Sequence, residues 1–309
     1  MDFKQMQYFL CLAQEGNVTR AARQLNIVQP ALSMQIAKLE KSVGKQLFYR
    51  QAQGVTLTAA GETLARLAGS IMQTIDHARE EMARLDGKIS GRVSIGMITS
   101  AAQSTLATSS AKIAARYPEI QLLVCEGYTE MLLDWVAAGQ LDIAIVNMPP
   151  GKSPLTAHHI LDEQMMLARR PGSALALPAI VPYARLKGMD IVIPSRRHGL
   201  RRILDAAAAE ADFTLKPRLE IDTLSAICEV VATTDLVTVL PGIALHAALA
   251  AGRLQAHRLK KPAIARTVAW ATHPRRVVSA AMTAVMDIIS ADLLAAANQA
   301  SRLVITAPR

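Results

Sequence analysis

Three cysteines in 309 residues, Cys11, Cys125 and Cys228, are too few and too far apart for a disulfide framework, and they point to a reducing, cytoplasmic setting. No Cys/His group has the spacing of a zinc site. The pair His158-His159 reads as part of a loop flanked by Pro and Gly without convergent acids, so no metal is expected. Aromatic residues make up only 4% of the chain, which argues against a stacking cage for an aromatic ligand. Apolar runs are broken by charge before eighteen residues, so no membrane span is expected. The opening MDFKQMQYFL lacks the basic region, apolar run and cleavage site of a signal peptide. There is no G-x-S-x-G elbow, Walker loop, H-E-x-x-H or dinucleotide fingerprint at a strand end, so an enzyme is not expected and no cofactor is called for. What remains is a globular chain, 51% hydrophobic and 19% charged, long enough for two or three domains.

What is present is concentrated first in residues 17–50, NVTRAARQLNIVQPALSMQIAKLEKSVGKQLFYR. Thr19 is placed to cap a helix over residues 21–25, where Ala21, Ala22 and Leu25 share a face. Asn26 suits the turn that follows, because Asn tolerates left-handed backbone angles. Gln29 and Pro30 open a second helix, Ala31, Leu32, Ile36, Leu39 and Val43 form its buried stripe, and Gly44 closes it. The remaining face carries Gln29, Pro30, Ser33, Met34 and Ala37, flanked by Gln35 and Lys38. Such a face fits a DNA major groove, where Gln and Ser bond base edges; the same pattern also describes a structural helix pair with a solvated side. Charge favours the groove. Residues 1–58 hold seven Lys/Arg against three Asp/Glu, residues 59–90 four against five, and the rest of the +9 net charge lies beyond. The basic C-terminal region fits an anionic small ligand, or solubility alone.

Residues 1–61 resemble the N-terminal domain of LysR-type transcriptional regulators. The matching features, in order, are Phe9, the run GNVTRAARQLNIVQPALSMQIAKLE, Leu47-Phe48 with Arg50, and GVTLTAAG from Gly54 to Gly61. With the total length and the downstream layout, the resemblance covers essentially the whole chain. It implies an α/β multidomain protein with an N-terminal winged helix-turn-helix (1–58) and a long linker helix (59–90). A C-terminal two-lobed, periplasmic-binding-protein-like α/β effector domain follows, lobe one being 91–163 plus 269–309 and lobe two 164–268. Groove contact is implied for Gln29, Pro30, Ser33 and Gln35, backbone contact for Arg50 and the Gln53-Gly54 wing tip, and Thr19 and Lys38 complete the DNA-binding set. Many relatives carry Arg where Met34 and Ala37 stand and a basic residue at the position of Gln53, so no base-by-base map carries over.

From Thr58, a candidate N-cap, the chain reads as one helix to residue 89. Leu64, Leu67, Ile71, Ile75, Ala78, Met82, Leu85 and Ile89 recur every three or four residues, a near-heptad seam. A helix of this length is marginal alone, so the seam needs a partner: a second chain, or the chain's own C-terminal domain. The resemblance implies a homodimer assembling to a homotetramer, with two recognition helices spaced for half-sites about one turn or a multiple apart. Lys88, Ser90 and Gly91 mark a hinge.

Beyond it, strands and helices alternate as in open α/β sheets. Strands are expected at 92–97, 120–125, 142–146, 189–193, 218–221, 236–240 and 267–272, and helices at 103–116, 129–138, 199–211, 224–232 and 277–297; residues 167–169 leave the first lobe. Ligands of such sheets bind at the C-terminal strand ends. Two segments lie there: Met97-Ile98-Thr99-Ser100, and the run from Ile193 to Arg202 with Ser195, Arg196 and His198. Hydroxyls and free N–H groups at a helix start suit an anion, with Arg196 or His198 supplying charge. Thr129 and Thr223 are further candidates, and all of these hydroxyls equally suit helix capping. Some relatives sense oxidants, but Cys11 and Cys125 read as core-side thiols and Cys228 has no resolving partner nearby. The expected protein is a regulator of promoter DNA, modulated by a small organic anion in the cleft and touching RNA polymerase, with no membrane. The alternatives are a regulator that needs no effector and is controlled by abundance or a protein partner, and a ligand-binding module without DNA function, against which residues 1–90 argue.

Overall fold

The computed structural model describes residues 1–51, 54–85, 88–148, 151 and 153–305. They form two compact units, Met1–Lys88 with Ala138–Gln140, and Ile89–Ala137 with Leu141–Arg309.

The first unit begins with α1 (Phe3–Glu15), capped by a reciprocal Asp2–Gln5 box and closed by Gly16 in the left-handed region. Next come α2 (Val18–Gln24), α3 (Gln29–Val43) and a wing of β1 (Phe48–Gln51) paired antiparallel with β2 (Gly54–Leu57). The cap of α2 is Asn17, whose side chain accepts from the amides of Thr19 and Arg20; Thr19, expected as the cap, lies inside the helix. Asn supplies its amide oxygen two residues earlier and so wins the position. Asn26 turns at φ +52° and Gly44 caps α3 in the left-handed region. Phe9, Leu12, Ala22, Leu32, Ile36, Leu39 and Leu47 make the core, with the Phe9 and Phe48 rings 5.3 Å apart. Val43 is 38% exposed, because the last turn of α3 outruns that core. Gly54 sits at φ +145°, where a Cβ would lie 2.3 Å from the Gly16 carbonyl oxygen, and a Cβ on Gly61 would lie 2.1 Å from that of Leu47. Both glycines of the GVTLTAAG run are thus required by close backbone approach.

α4 (Ala59–Leu85) follows, its start held by Thr58, whose Oγ1 accepts from the Gly61 amide at 3.0 Å. Ile89 lies beyond the helix and packs into the core of the second unit, so the seam read from the sequence is shorter by one position. The period continued because Ile89 is apolar for a different partner.

In the second unit, β3 (Gly91–Met97), α5 (Thr99–Arg116), β4 (Ile120–Glu126), α6 (Thr129–Ala137) and β5 (Ile143–Asn147) alternate, and β3 pairs parallel with β4 and β5. The fully buried β5 fits its apolar run. Then comes β6 (Thr156–Arg169), fourteen residues long, which the sequence reading missed as a strand. It contains His158 and His159, which are therefore not in a loop. β7 (Ile180–Pro182), β8 (Val192–Ile193), α7 (Gly199–Glu210), β9 (Leu219–Glu220), α8 (Leu224–Thr233) and β10 (Thr238–Pro241) come next. The chain ends with α9 (Gly242–Ala250), β11 (Gln255–Lys260), β12 (Ala265–Thr272) and α10 (Ala280–Arg302). The main sheet runs β4-β3-β5-β12-β6-β11-β7, with β10 also on β6; β8 and β9 pair separately. One hydrophobic cluster gathers Val93, Ile95, Ile143, Val268, Trp270 and Val285, another Leu167, Val181, Ile193, Leu204, Ile227 and Val239. β6 feeds both, Leu161 to the first and Met165 to the second.

α10 is long and apolar enough to cross a membrane by length and composition alone. Its Met282, Val285, Ile289 and Leu293 are buried in the first of these clusters, and its Asp292 accepts from Ser109 at 2.7 Å and pairs with Lys112 on α5. It is a core helix.

Candidate functional site

On α3, Leu32, Ile36 and Leu39 hold the inner side while Gln29, Pro30, Met34, Ala37 and Lys38 are exposed; Ser33 and Gln35 are half-buried. Gln35 accepts from the Gln5 side chain on α1 at 3.4 Å, which turns it toward the body of the unit. Thr19 is exposed and donates to Gln29 Oε1 at 3.4 Å, so the start of α2 steadies the first residue of α3. Val28, at the N-cap of α3, offers no side-chain bond to the first turn. Arg50 and Tyr49 are exposed on β1; Gln53 lies outside the described residues. Val28 and Tyr49, 68% and 57% exposed, are further outward groups that the sequence reading passed over.

In the second unit the start of α7 lies against the start of α6 and the end of β5. A Cβ on Gly199, which opens α7, would sit 3.5 Å from Thr129 Oγ1 on α6 and 3.6 Å from Asn147 Nδ2 on β5. Arg266, on β12 and almost fully buried, reaches into the same region. Its Nη1 donates to Ser100 Oγ at 2.8 Å and to Asn147 Oδ1 at 3.0 Å. Its Nε and Nη2 both donate to Glu163 Oε2, at 2.8 and 2.6 Å, and Glu163 Oε1 accepts from the Ile243 amide at 2.6 Å. The Asn147 backbone N–H donates to Thr129 Oγ1 at 3.3 Å. The reading from sequence named Ser100 and Thr129 but missed Arg266, Glu163 and Asn147. An arginine and a glutamate on strands 103 residues apart give no local signal of pairing.

The Ser195 segment is organised by the chain's own carboxylate. Asp222 accepts from the Ser195 amide at 2.9 Å, from its hydroxyl at 3.1 Å and from Tyr128 Oη at 3.1 Å. Burial pushes the Asp222 carboxyl up, but these hydrogen bonds outweigh it and the net shift is down. His198, expected to supply charge, instead caps α7 by accepting from the Leu200 amide through Nδ1 at 3.2 Å. Burial lowers its pKa from 6.5 to about 4; Asp222 pulls it up, Arg266 down, and the ring is neutral at pH 7. Its ring meets that of Tyr128 edge-on, centroids 5.5 Å apart. Arg196 and Thr223 are exposed, and Thr223 makes no capping bond from its N-cap position on α8. Thr99 is half-buried in the first turn of α5. Arg201 is buried and bound to Asp205, Glu220 and the Pro194 carbonyl, and Arg202 pairs with Glu130. Burial raises all three thiols, Cys228 to about 11, so none is set up as a thiolate.

Comparison with known proteins gives these arrangements a name. The family described as "LysR substrate binding domain" matches residues 86–293, and "Bacterial regulatory helix-turn-helix protein, lysR family" matches residues 3–62. The chain is 29% identical over 300 residues to the HTH-type transcriptional regulator BbuR of Bordetella bronchiseptica, covering 97% of this chain and 92% of that one. Its fold is similar to a full-length OxyR variant from Pseudomonas aeruginosa, with TM-score 0.75 and 22% identity over 95% of this chain and 94% of that one. It is also similar to full-length CbnR complexed with its target DNA, with TM-score 0.64 and 16% identity over 94% of this chain and 100% of that one. A winged three-helix unit followed in the chain by an α/β unit, each matched by a LysR model, places this chain in the LysR family of transcriptional regulators.

Proposed function

We propose that this regulator reads promoter DNA as a dimer assembling into a tetramer, and that a small organic anion in the cleft biases the arrangement of its reading domains. The observation that carries the first half is the outward face of α3, on which Gln29, Pro30 and Lys38 stand clear of the core. Gln29 and Ser33 read base edges, with Pro30 and Gln35 beside them; Thr19, Lys38, Arg50 and Gln53 hold phosphates. Because Val28 leaves the first turn of α3 uncapped, a phosphate can complete it. CbnR, a protein of the same fold, has been solved with its target DNA, which supports this reading.

The working parts are residues 1–58 for DNA, 59–90 for pairing, and lobes of 91–163 plus 269–309 and 164–268. The two hydrophobic clusters joined through β6 support the two lobes. Leu67, Ile71 and Met82 on α4 are 54%, 40% and 66% exposed, which supports a second copy along that seam. The effector sits among Thr99, Ser100, Thr129, Ser195, Arg196, His198 and Thr223. By binding one arrangement better than another it moves the DNA-binding domains and alters contact with RNA polymerase in the cytoplasm.

Footprinting on the DNA upstream of its own gene at two salt concentrations tests this. Protected half-sites about one or more helical turns apart that fade with salt are expected; protection no better than on random DNA would count against it. One observation favours a second reading, a regulator set by abundance or a protein partner: Asp222 already occupies the Ser195 amide and hydroxyl. A thermal-shift screen of organic acids without any stabilisation would favour that reading.

A further inference from the structure

α3 turns a line of side chains directly away from Leu32, Ile36 and Leu39, and the first three places of that line are apolar. Pro30, Met34 and Ala37 stand at i, i+4 and i+7, which stacks them in one exposed ridge opposite the buried stripe. Met34, at the middle of the ridge, is 51% exposed. Val28, exposed at the N-cap, adds a fourth apolar group where the helix begins. The polar groups lie around them. Gln29 and the half-buried Ser33 stand on one flank and Lys38 on the other, with the exposed Lys41 at the next place along the ridge. Glu40, the one carboxylate in α3, is turned to the start of the wing, where it accepts from the Leu47 amide at 2.8 Å and the Phe48 amide at 3.4 Å. The centre of the face thus offers no donor, and no acceptor stronger than a thioether.

Resting on the reading of α3 as the DNA-reading helix, we propose that Met34 is a specificity-determining residue, and that the ridge of Pro30, Met34 and Ala37 selects thymine through its 5-methyl group at the centre of each half-site. The chemistry of the groove leaves one partner for such a ridge. On the major-groove edge the purine N7 atoms, guanine O6, thymine O4 and the amino groups of adenine and cytosine are all polar, and the 5-methyl of thymine is the one apolar projection. A ridge that cannot bond would strip water from those polar groups and return nothing. Against a methyl group it forfeits no hydrogen bond and buries apolar surface on both sides. Lys38 and Lys41 draw the same face toward phosphates, which sets DNA as the occupant. Methionine suits the position, since its unbranched and polarisable side chain can follow a methyl group through small shifts of the helix in the groove. Gln29 and Ser33 bond base edges beside it, so polar and apolar readout run side by side along one helix.

Removing the methyl group alone tests this. Within the half-sites that footprinting defines, thymines are replaced one at a time by deoxyuridine, which pairs as thymine does, and binding of the full-length protein is followed by fluorescence anisotropy. One or two positions in each half-site are expected to lose affinity by about fourfold each, as for one buried methyl group, with no change in the slope of log affinity against log salt. The second arm is Met34→Ala, measured on both duplexes. It is expected to keep its unfolding midpoint, since the side chain is exposed, and to bind the thymine duplex more weakly. At those positions it is expected to separate thymine from uracil by less than about twofold. Met34→Leu, which keeps an apolar side chain, is expected to retain the discrimination. A uracil penalty that persists in Met34→Ala would belong to the DNA itself and would overturn the proposal. So would protected half-sites in which every uracil is silent, or which hold no thymine; DNA reading by α3 would survive both results. Protection of no sequence above random DNA would overturn both readings.

Discussion

On α3, Met34, Ala37 and Lys38 point outward from a helix whose opposite side is locked by Leu32, Ile36 and Leu39. In the buried polar cluster of the second unit, Ser100, Asn147, Glu163 and Arg266 hold one another. The first surface is finished by what it meets; the second is finished by the protein itself. Substitution on α3 should therefore cost recognition without stability, and substitution in the cleft should cost stability first.

The sharpest way to break that contrast is Arg266→Met alone. It leaves the Glu163 carboxylate 5% exposed with its main cation gone. Removing one partner of a buried pair costs about 3–5 kcal/mol. Urea denaturation of the variant beside Glu163→Gln/Arg266→Met checks it: the single variant should be much the less stable. Equal stability of the two would mean that the pair is not a unit.

A second test uses pH. The folded pKa of His198 lies below its unfolded value, near 4 against 6.5. Above 6.5 both states are neutral and no effect is expected. As pH falls from 6.5 toward 4 the unfolded chain gains a proton that the folded chain refuses, so stability drops; below about 4 the loss levels off, at about 3 kcal/mol at most. Comparing wild type with His198→Gln across that window isolates the effect, since the variant should lack this part of the slope. Parallel curves would show that the ring is not the buried neutral cap that Leu200 implies.

The same contrast explains what was legible in the sequence. The helix-turn-helix is written in consecutive residues: Asn26 for the turn, Gly44 for the cap, a stripe at helical spacing, and a polar remainder. The cleft is written in residues 100, 147, 163, 222 and 266, which only the sheet order brings together. Ser100 and Thr129 could be found because helix starts after strands are recognisable; Asp222 and Arg266 could not. The missed β6 shows the same limit. Its burial alternates only in part, because it serves two clusters in one run. α9, in GIALHAALA, is apolar almost all round and offers no amphipathic period to read. Thr19 misleads for a local reason: it and Asn17 are both good caps, and the one nearer the turn prevailed.

On α3, Gln29→Ala should weaken binding to a specific site by about 1–3 kcal/mol, with little change on random DNA. Lys38→Ala should weaken both alike and reduce the slope of log affinity against log salt by about one. Neither should move the unfolding midpoint, since both side chains are exposed. A loss of stability in either would mean that the α3 face is packed in the assembly and is not the reading surface.

The smallest effect sits where the two core clusters face each other. Tyr128, between β4 and α6, donates to Asp222, between β9 and α8, and that bond joins loops from opposite clusters. Asp222 also holds Ser195 with two bonds that do not depend on Tyr128. Tyr128→Phe should therefore spare the Ser195 segment and cost only about 1 kcal/mol, while raising the Asp222 pKa back toward its ordinary value. The stability that Asp222 contributes is present above the ordinary carboxylate range and disappears as pH falls through its depressed folded pKa, so the phenylalanine variant should lose it at a higher pH than the wild type. A variant as stable as the wild type with an unchanged acid limb would show that the Tyr128 hydroxyl is a spectator, and that this bond does not hold the two clusters together.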